Sequence, residues 1–158
     1  MKTVVIFGGC GFIGLYFAEE LINLKNCELI YLIDIKEPTD NFSSLKFSLL
    51  KKNNKIKFIK SDVRQNLNNL PIENVDLIVD FAAVHREPGH EDDEYFETNV
   101  NGSRNICNFA DSANCQNIIF TSSIAVYGIG DHEKNEITKT VPSTAYGKSK
   151  LESEKNYT

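Results

Sequence analysis

The chain has 158 residues, 41% of them hydrophobic and 25% charged, with a net charge of −5. That length suits a single domain over residues 1–158 and excludes two large ones. A mildly acidic chain without a basic stripe excludes a nucleic-acid binder, since neutralising phosphates takes clustered Lys and Arg.

In chain order, Val4–Phe7 reads as a buried strand and Gly11–Leu24 as a helix. Between them lies Gly8-Gly9-Cys10-Gly11-Phe12-Ile13-Gly14. Glycine has no Cβ and tolerates φ > 0, so such a turn lets backbone approach a ligand closely. The helix that follows offers free N–H groups and a positive dipole end to a pyrophosphate. Glycines also cluster in ordinary strand-to-helix turns, so the motif alone is weak. A second strand, Leu29–Ile33, ends at Asp34. It lies about 20 residues beyond the glycines, the spacing of a carboxylate that binds ribose hydroxyls.

Pro38–Ser44 reads as a turn, Leu45–Lys51 as a short helix and Ile56–Ile59 as a third strand ending near Asp62. Val75–Phe81 is a fourth strand, Glu91–Ala113 has helical periodicity and Ile118–Thr121 is a fifth strand. Turn-rich Gly128–Ser143 leads to a last helix from Ala145. Short apolar runs alternating with helices predict an α/β fold, a Rossmann-like doubly wound parallel sheet with helices on both faces. Ligands bind such sheets at the C-terminal strand ends. The glycine turn, Asp34, Asp62, Ala82, Ala83, Ser122 and Ser123 all fall there.

Cys10, Cys27, Cys107 and Cys115 have no metal-ligand spacing and read as reduced thiols of a cytoplasmic protein. No apolar run reaches the length of a membrane span, and the N-terminus does not read as a signal peptide. His85 to Glu94 holds two histidines among carboxylates. It reads as a solvated loop capping the next helix, with acids near its positive end, rather than as a metal site. Alternatively the loop borders a substrate site, with His85 or Arg86 touching a sugar or its phosphates.

Two later features point to an enzyme. Phe120-Thr121-Ser122-Ser123 is a strand running into hydroxyls, and Tyr146 and Lys150 stand four apart on a helix, sharing a face. An ammonium near a phenol favours the phenolate, which makes a general acid/base. Each feature alone is commonplace: Tyr–Lys pairs are usually exposed, and Thr-Ser-Ser usually turns or caps a helix.

As a set these residues carry a resemblance. Gly8-x-x-Gly11-x-x-Gly14, Asp34, Asp62-Val63, Asp80-Phe81-Ala82-Ala83, Asn99-Val100-x-Gly102, Ser122-Ser123-x-x-Val126-Tyr127-Gly128 and Tyr146-x-x-x-Lys150 are similar to the NAD-dependent epimerase/dehydratase family of extended short-chain dehydrogenases/reductases. The resemblance runs from Lys2 to Tyr157. It implies that Tyr146 is the acid/base and that Lys150 lowers its pKa and holds the nicotinamide ribose. Ser123 would bond the reacting sugar oxygen. Gly8, Gly11, Phe12, Ile13 and Gly14 would cradle the pyrophosphate of NAD. Asp34 would hold the adenosine ribose and disfavour NADP, and Asp62 and Val63 would flank the adenine. Phe81, Ala82 and Ala83 would pass beneath the cofactor, and Asn99 would support the site through backbone contacts. No metal is implied.

Related dehydratases carry Asp-Glu after the catalytic hydroxyl, where this chain has Ile124-Ala125. Neither side chain transfers protons, so epimerisation of a nucleotide sugar is expected, resembling UDP-glucose 4-epimerases, with NAD retained through the cycle. An NAD(P)-dependent sugar reductase or dehydrogenase, or a non-catalytic dinucleotide-binding module, is the alternative. The family continues beyond the Tyr-Lys helix into a smaller substrate-gripping domain, so the chain is expected to hold the cofactor half only. Family dimers pair the helix matching Glu91–Ala113 with the Tyr-Lys helix, which implies a homodimer.

Overall fold

Val4, Val5, Ile6 and Phe7 are fully buried, which marks their strand as central, with both faces covered. In the computed structural model, which describes residues 2–130 and 133–157, this strand is β1 (Thr3–Phe7). It pairs in parallel with β2 (Leu29–Asp34) on one side and β4 (Leu77–Asp80) on the other, Val4 opposite both Ile30 and Leu77. β3 (Ile56–Lys60) extends the sheet beyond β2, and β5 (Ile118–Phe120) extends it beyond β4. The order 3-2-1-4-5 reverses direction between β1 and β4. That reversal opens a crevice at the C-terminal ends of these two strands.

Alternate residues of β1 feed two cores, as the two-residue period of a strand requires. Val4 and Ile6 pack with Leu15, Ala18 and Leu21 of α1 (Phe12–Asn23) and with Phe47 and Leu50 of α2 (Asn41–Leu50). Val5 and Phe7 pack with Ile106, Phe109 and Ala110 of α4 (Gly102–Ser112). Phe7 meets Phe109 edge-on at 5.8 Å between centroids, a favoured aromatic geometry. The expected doubly wound sheet with helices on both faces is therefore present.

Several boundaries differ from expectation for identifiable reasons. α2 begins at Asn41 rather than Leu45 because Asp40 accepts the Ser43 N–H at 2.7 Å. Residues read as a turn thus include an N-cap. β4 starts at Leu77 rather than Val75 because the Val75 N–H goes to the Ala113 carbonyl at 3.1 Å instead of a neighbouring strand. β5 stops at Phe120, and a 3-10 turn at Ile124–Tyr127 follows. The expected helix over 91–113 has three parts. Its first turn, α3 (Asp92–Tyr95), carries a capping box between Glu91 and Glu94. A π-helical segment (Phe96–Asn101) follows and leads into α4.

Carbonyls of the π segment take additional partners across the helix pair. Side chains of α5 (Ala145–Glu154) and the turn after it supply them. Ser153 Oγ donates to the Asn99 carbonyl at 2.8 Å, and Asn156 Nδ2 donates to the Val100 carbonyl at 3.2 Å. α5 is itself capped by Thr144, whose hydroxyl accepts the Gly147 N–H at 3.1 Å. Residues 131 and 132, within the stretch read as turn-rich, lie outside the described residues. Among the described residues no helix is long and apolar enough to cross a membrane.

Candidate active site

The glycine turn closes on itself and on the strand ends. Gly8 has φ +70°, and a Cβ there would lie 2.7 Å from the Ala82 nitrogen. The turn therefore runs against β4 at a distance only glycine allows. A Cβ on Gly14 would lie 2.6 Å from the Gly8 carbonyl oxygen, so α1 starts directly beneath the turn. Gly11 is the N-cap of α1 and offers no capping side chain. The first-turn N–H groups of that helix are thus left to other partners.

Asp34, at the end of β2, fastens the turn. Its Oδ2 accepts the Cys10 N–H at 3.0 Å and its Oδ1 accepts the Ile35 N–H at 2.8 Å. Burial pushes this carboxyl above its ordinary range, opposed by those N–H donors. Asp62 is gripped by the Arg64 guanidinium, with Nη2 to Oδ2 at 2.6 Å, and that bond holds its carboxyl below the usual value. Cys10 is buried, and its thiol is pushed up to about 12 by burial and by Asp34.

Two lobes of one cleft meet over Gly8, Gly11, Phe81, Ala83 and His85. Asp34, Asp62, Val63 and Ala82 line the first, of about 320 Å³. Phe12, Ile13, Gly14, Tyr146 and Lys150 line the second, of about 450 Å³. Both volumes lie in the range of small-molecule sites, about 300–1,000 Å³. Phe12 and Ile13 are 63% and 58% exposed, so the cleft's outer rim is apolar. The sequence-selected residues from the glycines to Tyr146 and Lys150 therefore converge on one crevice, apart from Ser123 and Asn99.

Ser123 does not line it. Its hydroxyl accepts the Ala125 N–H at 3.2 Å as N-cap of the 3-10 turn. The strand-end hydroxyl residues lining the second lobe are Thr121 and Ser122, two places and one place earlier. Asn99 stands one layer behind the cleft, 3% exposed. Its amide oxygen accepts the Val84 N–H at 2.9 Å, and its amide nitrogen donates to the Val84 carbonyl at 3.1 Å. The floor of the crevice is thereby held by backbone contacts.

Lys150 is 2% exposed, and its ammonium sits 4.0 Å over the Phe120 ring. Burial pulls it down to about 8, while Asp80 and Glu154 oppose the fall. The loop of residues 84–91 is tied to the first turn of α5 and to α3. Glu87 Oε1 accepts the Tyr146 N–H at 3.0 Å, and the Tyr95 hydroxyl donates to the Arg86 carbonyl. His85 lines both lobes, whereas Thr98, Arg64 and Ser61 line the first without having been singled out from the sequence. Arg64 was legible as a cation two residues from Asp62; Thr98 carries no local signal.

A 3-2-1-4-5 parallel sheet whose glycine turn, acidic β2 end and Tyr-Lys helix surround its switch point defines a Rossmann-like protein of the extended dehydrogenase/reductase type. The chain belongs to the 3-beta hydroxysteroid dehydrogenase/isomerase family, whose model matches residues 5–157. Among curated relatives, it is 31% identical over 156 residues to the N-acetyl-alpha-D-glucosaminyl-diphospho-ditrans,octacis-undecaprenol 4-epimerase of Escherichia coli O157:H7, covering 96% of this chain and 41% of the relative. It is 29% identical to the UDP-glucose 4-epimerase of Neisseria meningitidis serogroup A, covering 95% of this chain and 45% of the relative. The chain thus spans less than half the length of these relatives. Its fold matches the UDP-glucuronic acid 4-epimerase of Bacillus cereus solved with NAD, at TM-score 0.85 and 21% identity over 98% of this chain and 51% of that one. The resemblance drawn from the motifs to the epimerase/dehydratase type holds.

Proposed function

We propose that residues 1–158 form a single NAD-binding domain of a nucleotide-sugar 4-epimerase. The observation that carries this reading is that Tyr146 and Lys150 line the same lobe as Gly8, Gly11 and Gly14. Both curated relatives are named as sugar 4-epimerases, which supports the reaction; the nucleotide carrier is supported by the UDP-glucose 4-epimerase, whereas the other acts on a sugar carried by undecaprenol diphosphate.

The chain's own residues fit the cofactor. The Asp34 carboxylate has about four lone-pair sites, and the Cys10 and Ile35 N–H groups use two. The carboxylate thus keeps acceptor capacity for ribose hydroxyls. The uncapped first turn of α1 suits a pyrophosphate. Val63 and the Asp62–Arg64 pair border the lobe that would take adenine, and Phe81, Ala82 and Ala83 form a floor with little side-chain bulk at its centre. When bound, NAD supplies a reversible hydride acceptor for a sugar carbon.

Tyr146 takes the proton of a sugar hydroxyl and returns it, as acid/base. Lys150 holds the nicotinamide ribose, its ammonium donating to the ribose hydroxyls. Ser123 caps the Ala125 N–H outside this lobe and carries no step in it; Thr121 and Ser122 are the strand-end hydroxyls that would border the sugar. Ile124 and Ala125 offer no proton-transfer group next to Ser123, which favours epimerisation over dehydration. The substrate is a sugar carried on a nucleoside diphosphate such as UDP, the functional unit a homodimer and the compartment the cytoplasm.

The test is an equilibrium titration with NAD, followed by an assay of UDP-sugar C4 epimers, comparing wild type with Tyr146→Phe. Retained NAD binding in both, with interconversion falling about 100-fold or more in the variant, is the expected result. A wild-type chain that fails to bind NAD overturns the reading.

A further inference from the structure

The lysine of the second lobe rests on an aromatic face. Lys150 lines that lobe yet is 2% exposed, and its ammonium sits 4.0 Å from the centroid of the Phe120 ring, at the end of β5. None of the ion pairs among the described residues involves this ammonium. The ring is itself held. Tyr157 lies against it at 4.6 Å between centroids, with the planes 32° apart. The Tyr157 hydroxyl donates in turn to Asp80 Oδ2, at the end of β4, at 2.7 Å.

We propose that Phe120 is a positioning residue for Lys150: its ring face fixes the ammonium at the wall of the second lobe, with Tyr157 steadying the ring. The assignment rests on the reading of Lys150 as the residue that holds a ribose.

A lysine carries its charge on a flexible four-carbon stem. Burial strips water from that charge, which then needs a compensating attraction. The face of an aromatic ring is the negative pole of its quadrupole and attracts a cation, more strongly where water is excluded. Unlike a carboxylate, the ring has no lone pair that would hold an N–H in a close ion pair. The ammonium has three N–H donors, and those turned from the ring can meet hydroxyls in the lobe. The carboxylates that act on Lys150 have other partners. Asp80 accepts from the Ala82 N–H and the Tyr157 hydroxyl, and Glu154 accepts from the Ser122 hydroxyl.

Proton NMR of the Lys150 ε-methylene tests the contact, because groups stacked over a ring face resonate upfield; Lys150→Arg identifies the signal. In the wild-type chain the signal should lie upfield of those of the other lysines. Phe120→Leu, which keeps apolar bulk but no ring, should abolish that displacement, and Phe120→Tyr should retain it. The Lys150 titration midpoint should fall by about half a pH unit or more in Phe120→Leu and hold in Phe120→Tyr, since a ring face favours the charged amine. NAD should bind Phe120→Leu about threefold or more weakly, and Phe120→Tyr as it binds wild type. A wild-type signal among those of the other lysines, or a Phe120→Leu midpoint equal to that of wild type, overturns the proposal. So does an undiminished NAD affinity in Phe120→Leu. Should Phe120→Leu fail to fold, Phe120→Met takes its place, and the wild-type signal stands on its own. A wild-type chain that binds no NAD, yet shows the displaced signal and the lowered midpoint in the variant, keeps the ring contact and overturns only the proposed function.

Discussion

The Asn99 amide donates to the Ser149 hydroxyl at 2.8 Å, joining the π segment to α5 across a buried interface. The same amide holds both polar groups of Val84. Asn99→Leu strips partners from a backbone N–H, a carbonyl and a hydroxyl at once. We expect a loss of about 2 kcal/mol or more, since each buried group left unsatisfied costs roughly 1–3 kcal/mol. Urea denaturation measures it.

Gly8→Ala combines φ +70° with a Cβ 2.7 Å from backbone of Ala82. The turn must move away from β4, so stability falls by about 1–3 kcal/mol, as for other strained backbone sites. Dinucleotide affinity should fall with it. Thermal denaturation and NAD titration read the two effects separately, and unchanged values in both refute the close approach.

Asp34→Ala removes the acceptor of the Cys10 N–H and, in the proposed function, of the ribose hydroxyls. Hydrogen bonds to charged groups contribute about 1.5–3 kcal/mol. NAD affinity should drop at least about tenfold, measured by calorimetry. Asp34→Asn, which keeps an oxygen, should bind with intermediate affinity.

Lys150 gives a pH signature in stability. Its folded pKa, about 8, lies below the ordinary 10.5. Above 10.5 the amine is neutral in both states and burial carries no charge penalty. As pH falls from 10.5 through 8, the unfolded chain takes up the proton first, and stability is lost by about 3 kcal/mol. Lys150→Met should be free of that slope. Parallel urea titrations between pH 8 and 11 compare the two, and identical slopes contradict the burial of a charged amine.

Cys10 lies within the glycine turn, buried and with its thiol held near 12. Alkylation needs the thiolate. Iodoacetamide at pH 8 should leave Cys10 unmodified in the folded chain and label it fully in urea, as peptide mass spectrometry will show.

The sheet and its crevice were legible because β1, β2 and β4 are apolar runs and the glycine turn sits directly between β1 and α1. Asp34 was legible by spacing and Tyr146 with Lys150 by helical periodicity. What escaped was set by long-range contact. The Ser123 side chain caps the Ala125 N–H, the commonplace role of a Thr-Ser-Ser run, and only the three-dimensional contact decides between that role and the substrate one. Asp80 lies 77 residues from the Tyr157 hydroxyl it accepts, so no local pattern joins them. The helix over 91–113 was foreseen as one element, but a π segment perturbs a 3.6-residue period too little to be read from apolar spacing.

That segment also makes this stretch unusually sensitive to chain length. Each residue turns a regular helix by about 100°. Removing a single residue from Phe96–Asn101 would let the backbone relax into an uninterrupted α-helix with the flanking turns in nearly their present orientation, since a π turn holds one residue more than an α turn over the same rotation. Such a deletion would preserve helicity while shifting the carbonyls that Ser153 and Asn156 now bind, separating a gain in local regularity from a loss of anchorage to α5.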